Sequence, residues 1–128
     1  MSYIVSMKAK SFEHLLVWQK SHAYVLDLYK MTESFPKSEL FGLTAQMRRA
    51  AISVSANIAE GFKKRTPREK NRVLNIAQGS LEESQYYLIL TDDLRYTDTS
   101  AYRPRLDEIS KMLEAYMRAI EKNHRLTA

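Results

Sequence analysis

Three groups of residues carry side chains that chemistry could use. The first is a polar row, Arg49, Ser53, Asn57 and Glu60, preceded by Gln46. A helix would bring this cation, hydroxyl, amide and carboxylate onto one stripe. Nucleophilic catalysis there would need a poised base, but the row has no histidine, and Ser53 falls in mid-helix rather than on a strained strand-to-helix turn. The row is therefore expected to form a structural polar network, Arg49 pairing with Glu60 or with Glu83 of a later helix, and no catalytic residue is assigned. The second group is the run from Lys63 to Arg72, in which Lys63, Lys64, Arg65, Arg68, Lys70 and Arg72 face one acid, Glu69. Its net charge of +5 equals that of the whole chain. These cations crowd a helix start, where the macrodipole favours acids, so the fold is expected to gain little from them. A phosphate would gain both from the cations and from N–H groups at the helix start. The six are candidate nucleic-acid-binding residues, the alternative being a solvated basic turn balanced by Glu60 and Glu69. Contact with about five phosphates would weaken binding by roughly two to three orders of magnitude between about 50 and 200 mM salt. No aromatic is interleaved in the run, so phosphate contact is expected rather than base stacking.

The third group is Glu121 and His124, at the Glu-x-x-His spacing of di-iron bundles. Such a centre needs a second motif and two further inward glutamates, which have no counterpart here, so neither metal nor cofactor is expected. Glu82-Glu83 and Asp92-Asp93 are adjacent and diverge on a helix, unlike a catalytic pair. Gly79-Ser80 has no phosphate-loop context and reads as a close helix approach. The chain reads as non-enzymatic.

The elements that must position these groups are helices. The chain has 128 residues, 45% hydrophobic and 27% charged, with only 3 Gly and 3 Pro, enough for one domain over 1–128 and too apolar for disorder. A flexible N-terminal extension is expected over residues 1–11. Without cysteine, disulfides and thiolate chemistry are excluded. The start of the chain resembles no signal peptide and no apolar run is long enough to span a bilayer, so a cytoplasmic protein away from membranes is expected. A first helix, roughly Phe12 to Thr32, carries Leu15, Trp18, His22, Val25 and Tyr29 at alternating spacings of three and four, the pattern of a core seam. This spacing makes His22 a core residue. Phe35-Pro36 breaks the helix. A second helix should run from near Ser38 to Gly61, a C-terminal cap. Thr66-Pro67-Arg68-Glu69 has the form of a capping box and opens a third helix to about Arg95, with Leu74, Ala77, Leu81, Ser84 and Leu88 inward. A fourth enters near Thr99 and turns Leu106, Ile109, Leu113, Tyr116 and Ile120 inward. Short connections favour antiparallel neighbours, hence an all-α, up-down-up-down four-helix bundle.

The second helix has one stripe more than a surface helix needs. Leu43, Met47, Ala50, Val54 and Ile58 form its core face. Roughly opposite lie Phe41, Ala45, Ile52, Ala56 and Ala59, interrupted by Arg48. Water would wet that row in a monomer, so these six residues are expected to form an oligomer interface. The alternative is an Ala-rich helix with scattered surface apolars.

The residues Phe12-Glu-His-Leu-Leu-Val-Trp18, Phe35-Pro36 and Glu39-Leu-Phe-Gly-Leu43 resemble the opening of the bacterial four-helix-bundle proteins encoded in 23S ribosomal RNA intervening sequences. Gln46-Met-Arg-Arg-Ala50, Ser53-Val-Ser-Ala-Asn-Ile-Ala-Glu-Gly61 and Gly79-Ser-Leu-Glu-Glu83 resemble that family's central and third-helix motifs. The resemblance implies a ring-shaped homopentamer. It also implies structural or interface roles for Arg49, Ser53, Asn57, Glu60, Gly61, Ser80 and Glu83. The accessory protein of diversity-generating retroelements is similar to this family; carried over, its properties imply binding to RNA or DNA and to a partner reverse transcriptase. A protein-interaction scaffold without nucleic acid is the alternative.

Overall fold

The computed structural model describes residues 9–127, with side chains through residue 123. The first eight residues of the expected extension, and the His124 side chain, lie outside the described residues. At the end of that extension the Ser11 hydroxyl accepts from Glu13 N at 3.2 Å and caps a 3-10 turn over Phe12–His14. Four helices follow, α1 Leu16–Thr32, α2 Leu43–Lys63, α3 Pro67–Asp93 and α4 Arg103–Thr127. Each packs on its neighbours in the order α1, α2, α3, α4 and back to α1, which is the antiparallel four-helix bundle expected. The described residues contain no strand.

Helix boundaries follow local chemistry. The Thr66 hydroxyl accepts from Glu69 N at 3.1 Å and Pro67 occupies the first turn of α3, as the sequence indicated. The other half of a capping box is missing, because the Glu69 carboxylate turns to Arg72 at 3.2 Å. Before α2, Pro36 leads into a 3-10 turn over Lys37–Glu39, and the helix proper begins at Leu43 rather than near Ser38. The Glu39 carboxylate explains the delay. It accepts from Leu43 N at 3.1 Å and from the Tyr96 hydroxyl at 2.7 Å, tying the α2 entry to the α3–α4 connection. These two bonds hold the Glu39 carboxyl below the usual glutamate range. α3 stops at Asp93, where Arg95 takes φ 61°, and α4 starts at Arg103 with Pro104 in its first turn.

Gly61 does not end α2. The helix continues to Lys63 with Gly61 buried inside it, and a Cβ on Gly61 would lie 2.9 Å from Leu74 Cδ2. The glycine serves the close approach of α2 and α3. Gly79, expected to serve such an approach, is exposed, and a Cβ there would meet nothing within 4 Å.

The inward rows of α2, α3 and α4 are as expected: all five named residues on each are buried. The row on α1 is different. Val17, Ser21, Tyr24, Leu28 and Met31 face inward beside Leu15 and Val25, while Trp18 is half-buried and His22 and Tyr29 are exposed. Both rows of α1 alternate spacings of three and four, and the smaller, less aromatic one points into the bundle. His22 is therefore no core residue; its ring stacks on Trp18 with centroids 4.9 Å apart.

Candidate assembly face and nucleic-acid interface

The outward row of α2 stays outward. Ala45, Ile52 and Ala56 are exposed, with Ile52 at 44%, and Ala59 is half-buried. Phe41 is 92% exposed, although it stands on the turn before α2 and not on the helix. The Glu39 bonds fix the turn that presents it. Arg48 is the one polar member of the row and is bound to α1. Its Nε donates to Thr32 Oγ1 at 3.0 Å, its Nη2 to Tyr29 O at 3.3 Å, and the guanidinium lies over the Tyr29 ring at 4.3 Å. Its charge thus interrupts the row less than the sequence implied. Tyr29, Leu40, Phe41, Thr44, Ala45, Arg48, Arg49 and Ile52 line one shallow groove of about 560 Å³. Tyr29 and Leu40 are members of this surface that the sequence did not assign to it. Tyr29 was hidden because it satisfied the spacing of a core seam equally well.

The polar row of α2 lies on the α2–α3 seam and divides into two clusters. Arg49 Nη2 meets Glu83 Oε2 at 3.0 Å, Arg49 Nε donates to Gln46 Oε1 at 3.0 Å, and the Tyr87 hydroxyl donates to Glu83 Oε2 at 3.3 Å. Further along, Asn57 Nδ2 donates to Ser53 O at 2.8 Å and to Ser53 Oγ at 3.1 Å, and Ser80 Oγ donates to Ser53 Oγ at 2.8 Å. Glu60 belongs to neither cluster; it meets Lys64 one turn on, at 3.6 Å. Of the two partners considered for Arg49, the structure selects Glu83. Such networks fix helix register more than they add stability.

The basic turn separates into engaged and disengaged cations. Lys64 meets Glu60, and Arg72 meets Glu69. The bond to Arg72 holds the Glu69 carboxyl below its usual range. Lys70 turns inward, its Nζ donating to Phe62 O at 2.5 Å and to Gly61 O at 3.5 Å, and lies 5.4 Å from the Phe62 ring centroid. Burial lowers the Lys70 amine from the ordinary lysine value. The expectation that the fold gains little from these cations needs correction. The start of α3 is also the end of α2, whose last carbonyls are electron-rich and favour cations. Lys63, Arg65 and Arg68 make no ion pair among the described residues; all three are exposed. Beside them opens a cavity of about 450 Å³ lined by Lys10, Ser11, Phe12, Ala59, Glu60, Phe62 and Lys63. No sequence pattern signals it, since Lys10 and Lys63 are brought together only by tertiary packing.

Among the described residues no group of three or more His, Asp or Glu could hold a metal ion. No described helix is long and apolar enough to cross a membrane.

Taken together, the fold defines an antiparallel four-helix bundle with an apolar row on the outside of α2 and a cationic turn at its end. The chain belongs to the 23S rRNA-intervening sequence protein family, whose model matches residues 13–115, most of its length. No match to a curated protein was found.

Proposed function

We propose that this chain is a non-enzymatic scaffold that self-associates through the outward face of α2 and binds nucleic acid through the turn that follows. The observation that carries the reading is the continuity of the two features. Phe41, Ala45, Ile52 and Ala56 form an exposed apolar row, and the helix bearing it ends at Lys63, beside Arg65 and Arg68. Assembly along α2 gathers several copies of a weak cationic patch, and linked weak sites bind a polyanion far more tightly than one. The family's name supports RNA as the polyanion. The five-fold count comes from the resemblance, as does a partner reverse transcriptase.

Three disengaged cations per chain imply about three phosphate contacts per patch. Raising salt from about 50 to 200 mM then weakens binding roughly 20–40-fold per patch, less than six cations would give. A polarisation titration against structured RNA at several salt concentrations measures this. Absence of binding at low salt, or binding indifferent to salt, rejects the nucleic-acid half of the proposal. A second reading, a scaffold for another protein, is favoured by the commitment of Lys64, Lys70 and Arg72 to the fold. It predicts purification with a protein partner and without nucleic acid.

A further inference from the structure

The cavity beside Lys63 joins two distant parts of the chain. Lys10, Ser11 and Phe12 come from the segment before α1, and Ala59, Phe62 and Lys63 from the last turns of α2. Its volume of about 450 Å³ falls within the range of about 300–1,000 Å³ typical of small-molecule sites. Two of the lining side chains are aromatic, and each is held from outside the lining. Phe12 makes a T-shaped contact with Trp18, centroids 5.0 Å apart, and Lys70 Nζ lies 5.4 Å from the centroid of Phe62. Both phenylalanines are half-buried, so part of each stays open. Ala59 adds only a methyl group to the lining and leaves the space unfilled.

The polar groups narrow the choice of occupant. Lys10 and Lys63 are exposed and meet no carboxylate among the described residues. The Ser11 hydroxyl accepts from Glu13 N, which leaves its own proton to donate. Glu60 brings one carboxylate, shared with Lys64 at 3.6 Å. A bare phosphate would gain from the lysines, but Glu60 would repel it and the two rings would be of no use to it. An acyl chain would gain from the rings and leave the charges unused. A nucleotide uses all three: a ring for its base, the carboxylate for a base N–H and a lysine for its phosphate. The run from Lys63 to Arg72 holds no aromatic, which argued for phosphate contact alone. Folding changes that, because it brings Phe12 and Phe62 into one cavity with Lys63.

We infer that this cavity takes one unpaired nucleotide of a nucleic-acid strand, its base stacked on Phe12 or Phe62 and its flanking phosphates on Lys10 and Lys63. In a duplex the bases are paired and stacked on one another, so neither ring can reach a base face. Arg65 and Arg68, outside the cavity, remain for the phosphates of neighbouring nucleotides. Glu60 sets a preference among bases. The cytosine amino group donates to a carboxylate, whereas the one ring N–H of uracil lies between two carbonyl oxygens that repel it. This inference rests on the nucleic-acid reading above and adds to it a contact that distinguishes single from double strands.

Fluorescence polarisation at low salt tests it with three RNA probes of equal length: an oligocytidylate, an oligouridylate and a duplex. The wild-type chain should bind the oligocytidylate several-fold more tightly than the oligouridylate, and Glu60→Gln should erase that difference. Phe12→Leu with Phe62→Leu keeps the apolar bulk and removes the rings. It should weaken the oligocytidylate about tenfold and leave the duplex unchanged, with thermal melting to confirm that the variant is folded. A strand carrying 5-iodocytidine should crosslink under ultraviolet light to Phe12 or Phe62, located by mass spectrometry. The crosslink uses the wild-type chain and so depends on no variant. Equal losses for strand and duplex in the double variant, no loss for either, or crosslinks only outside the cavity overturn the inference, while salt-sensitive duplex binding keeps the phosphate reading. Free cytidine monophosphate competing as strongly as the oligocytidylate overturns the assignment to a strand. If no probe binds, the nucleic-acid reading falls, and this inference with it.

Discussion

The outward row of α2 runs into the basic turn that ends the helix, yet the fold uses them differently. Three of the turn's six cations are engaged within the chain: Lys64 with Glu60, Lys70 with the last carbonyls of α2, and Arg72 with Glu69. The apolar row has almost no internal use. Arg48 is tied to α1, but Phe41, Ala45, Ile52 and Ala56 make nothing of their exposure within the monomer. Clustered charge is thus a weaker pointer to an external ligand than clustered exposed apolar surface. Cations can satisfy helix ends, but an outward isoleucine has no such alternative.

Substitution in the row should give the largest effect. Ile52→Arg is expected to raise the concentration for half-assembly by about two orders of magnitude, as loss of a central interface residue does, with little change in the melting temperature of the bundle. Sedimentation and circular dichroism check the two halves, and assembly unchanged in Ile52→Arg would remove the row from the interface. Next comes a comparison of two triple variants. Lys63→Gln with Arg65→Gln and Arg68→Gln should weaken RNA binding at low salt about 20-fold and flatten its salt dependence. Lys64→Gln with Lys70→Gln and Arg72→Gln should weaken it less than about threefold, since those cations are already occupied. Equal losses from the two triples would erase the division of the turn.

Smaller effects concern the fold beneath each region. Lys70→Met should lower stability by about 1 kcal/mol through loss of its hydrogen bonds to the α2 carbonyls, measured by urea denaturation. Glu39→Gln should leave the basic turn intact and loosen the turn that presents Phe41. The Glu39 carboxyl has a lowered pKa in the folded chain, so its contribution is complete above the unfolded glutamate value and is lost as pH falls through the folded one. Thermal melts at pH 7 and in acid should show a wild-type loss of stability that Glu39→Gln shares less. Identical pH profiles would show that the clamp contributes nothing.

The inward rows of α2, α3 and α4 were legible in the sequence because each has one dominant apolar stripe, and the Thr66 cap because its chemistry is local. α1 misled because two rows, Leu15-Trp18-His22-Val25-Tyr29 and Val17-Ser21-Tyr24-Leu28-Met31, obey the same spacing. The aromatic one looked more suited to a core. Only packing decides between them, with Ser21 Oγ reaching Ser55 Oγ of α2 at 2.6 Å. The two glycines were misread for a related reason. Sequence shows that Gly61 and Gly79 interrupt helical patterns but not whether another helix lies over them, and Leu74 lies over the first while nothing in the chain lies over the second. The cations looked costly because their helix start was visible in the sequence, whereas the carbonyls at the end of α2 come near Lys70 only on folding. The polar row was legible as a network, but its pairing was not, since Glu60 and Glu83 were equally plausible partners for Arg49.

Self-association is the claim on which the rest depends, and the mass of the wild-type chain across a micromolar dilution series tests it directly. Sedimentation as one defined multiple of the 14.9 kDa chain is the expected result. A single 14.9 kDa species over the whole range would contradict it and return Phe41, Ala45, Ile52 and Ala56 to the status of ordinary surface residues.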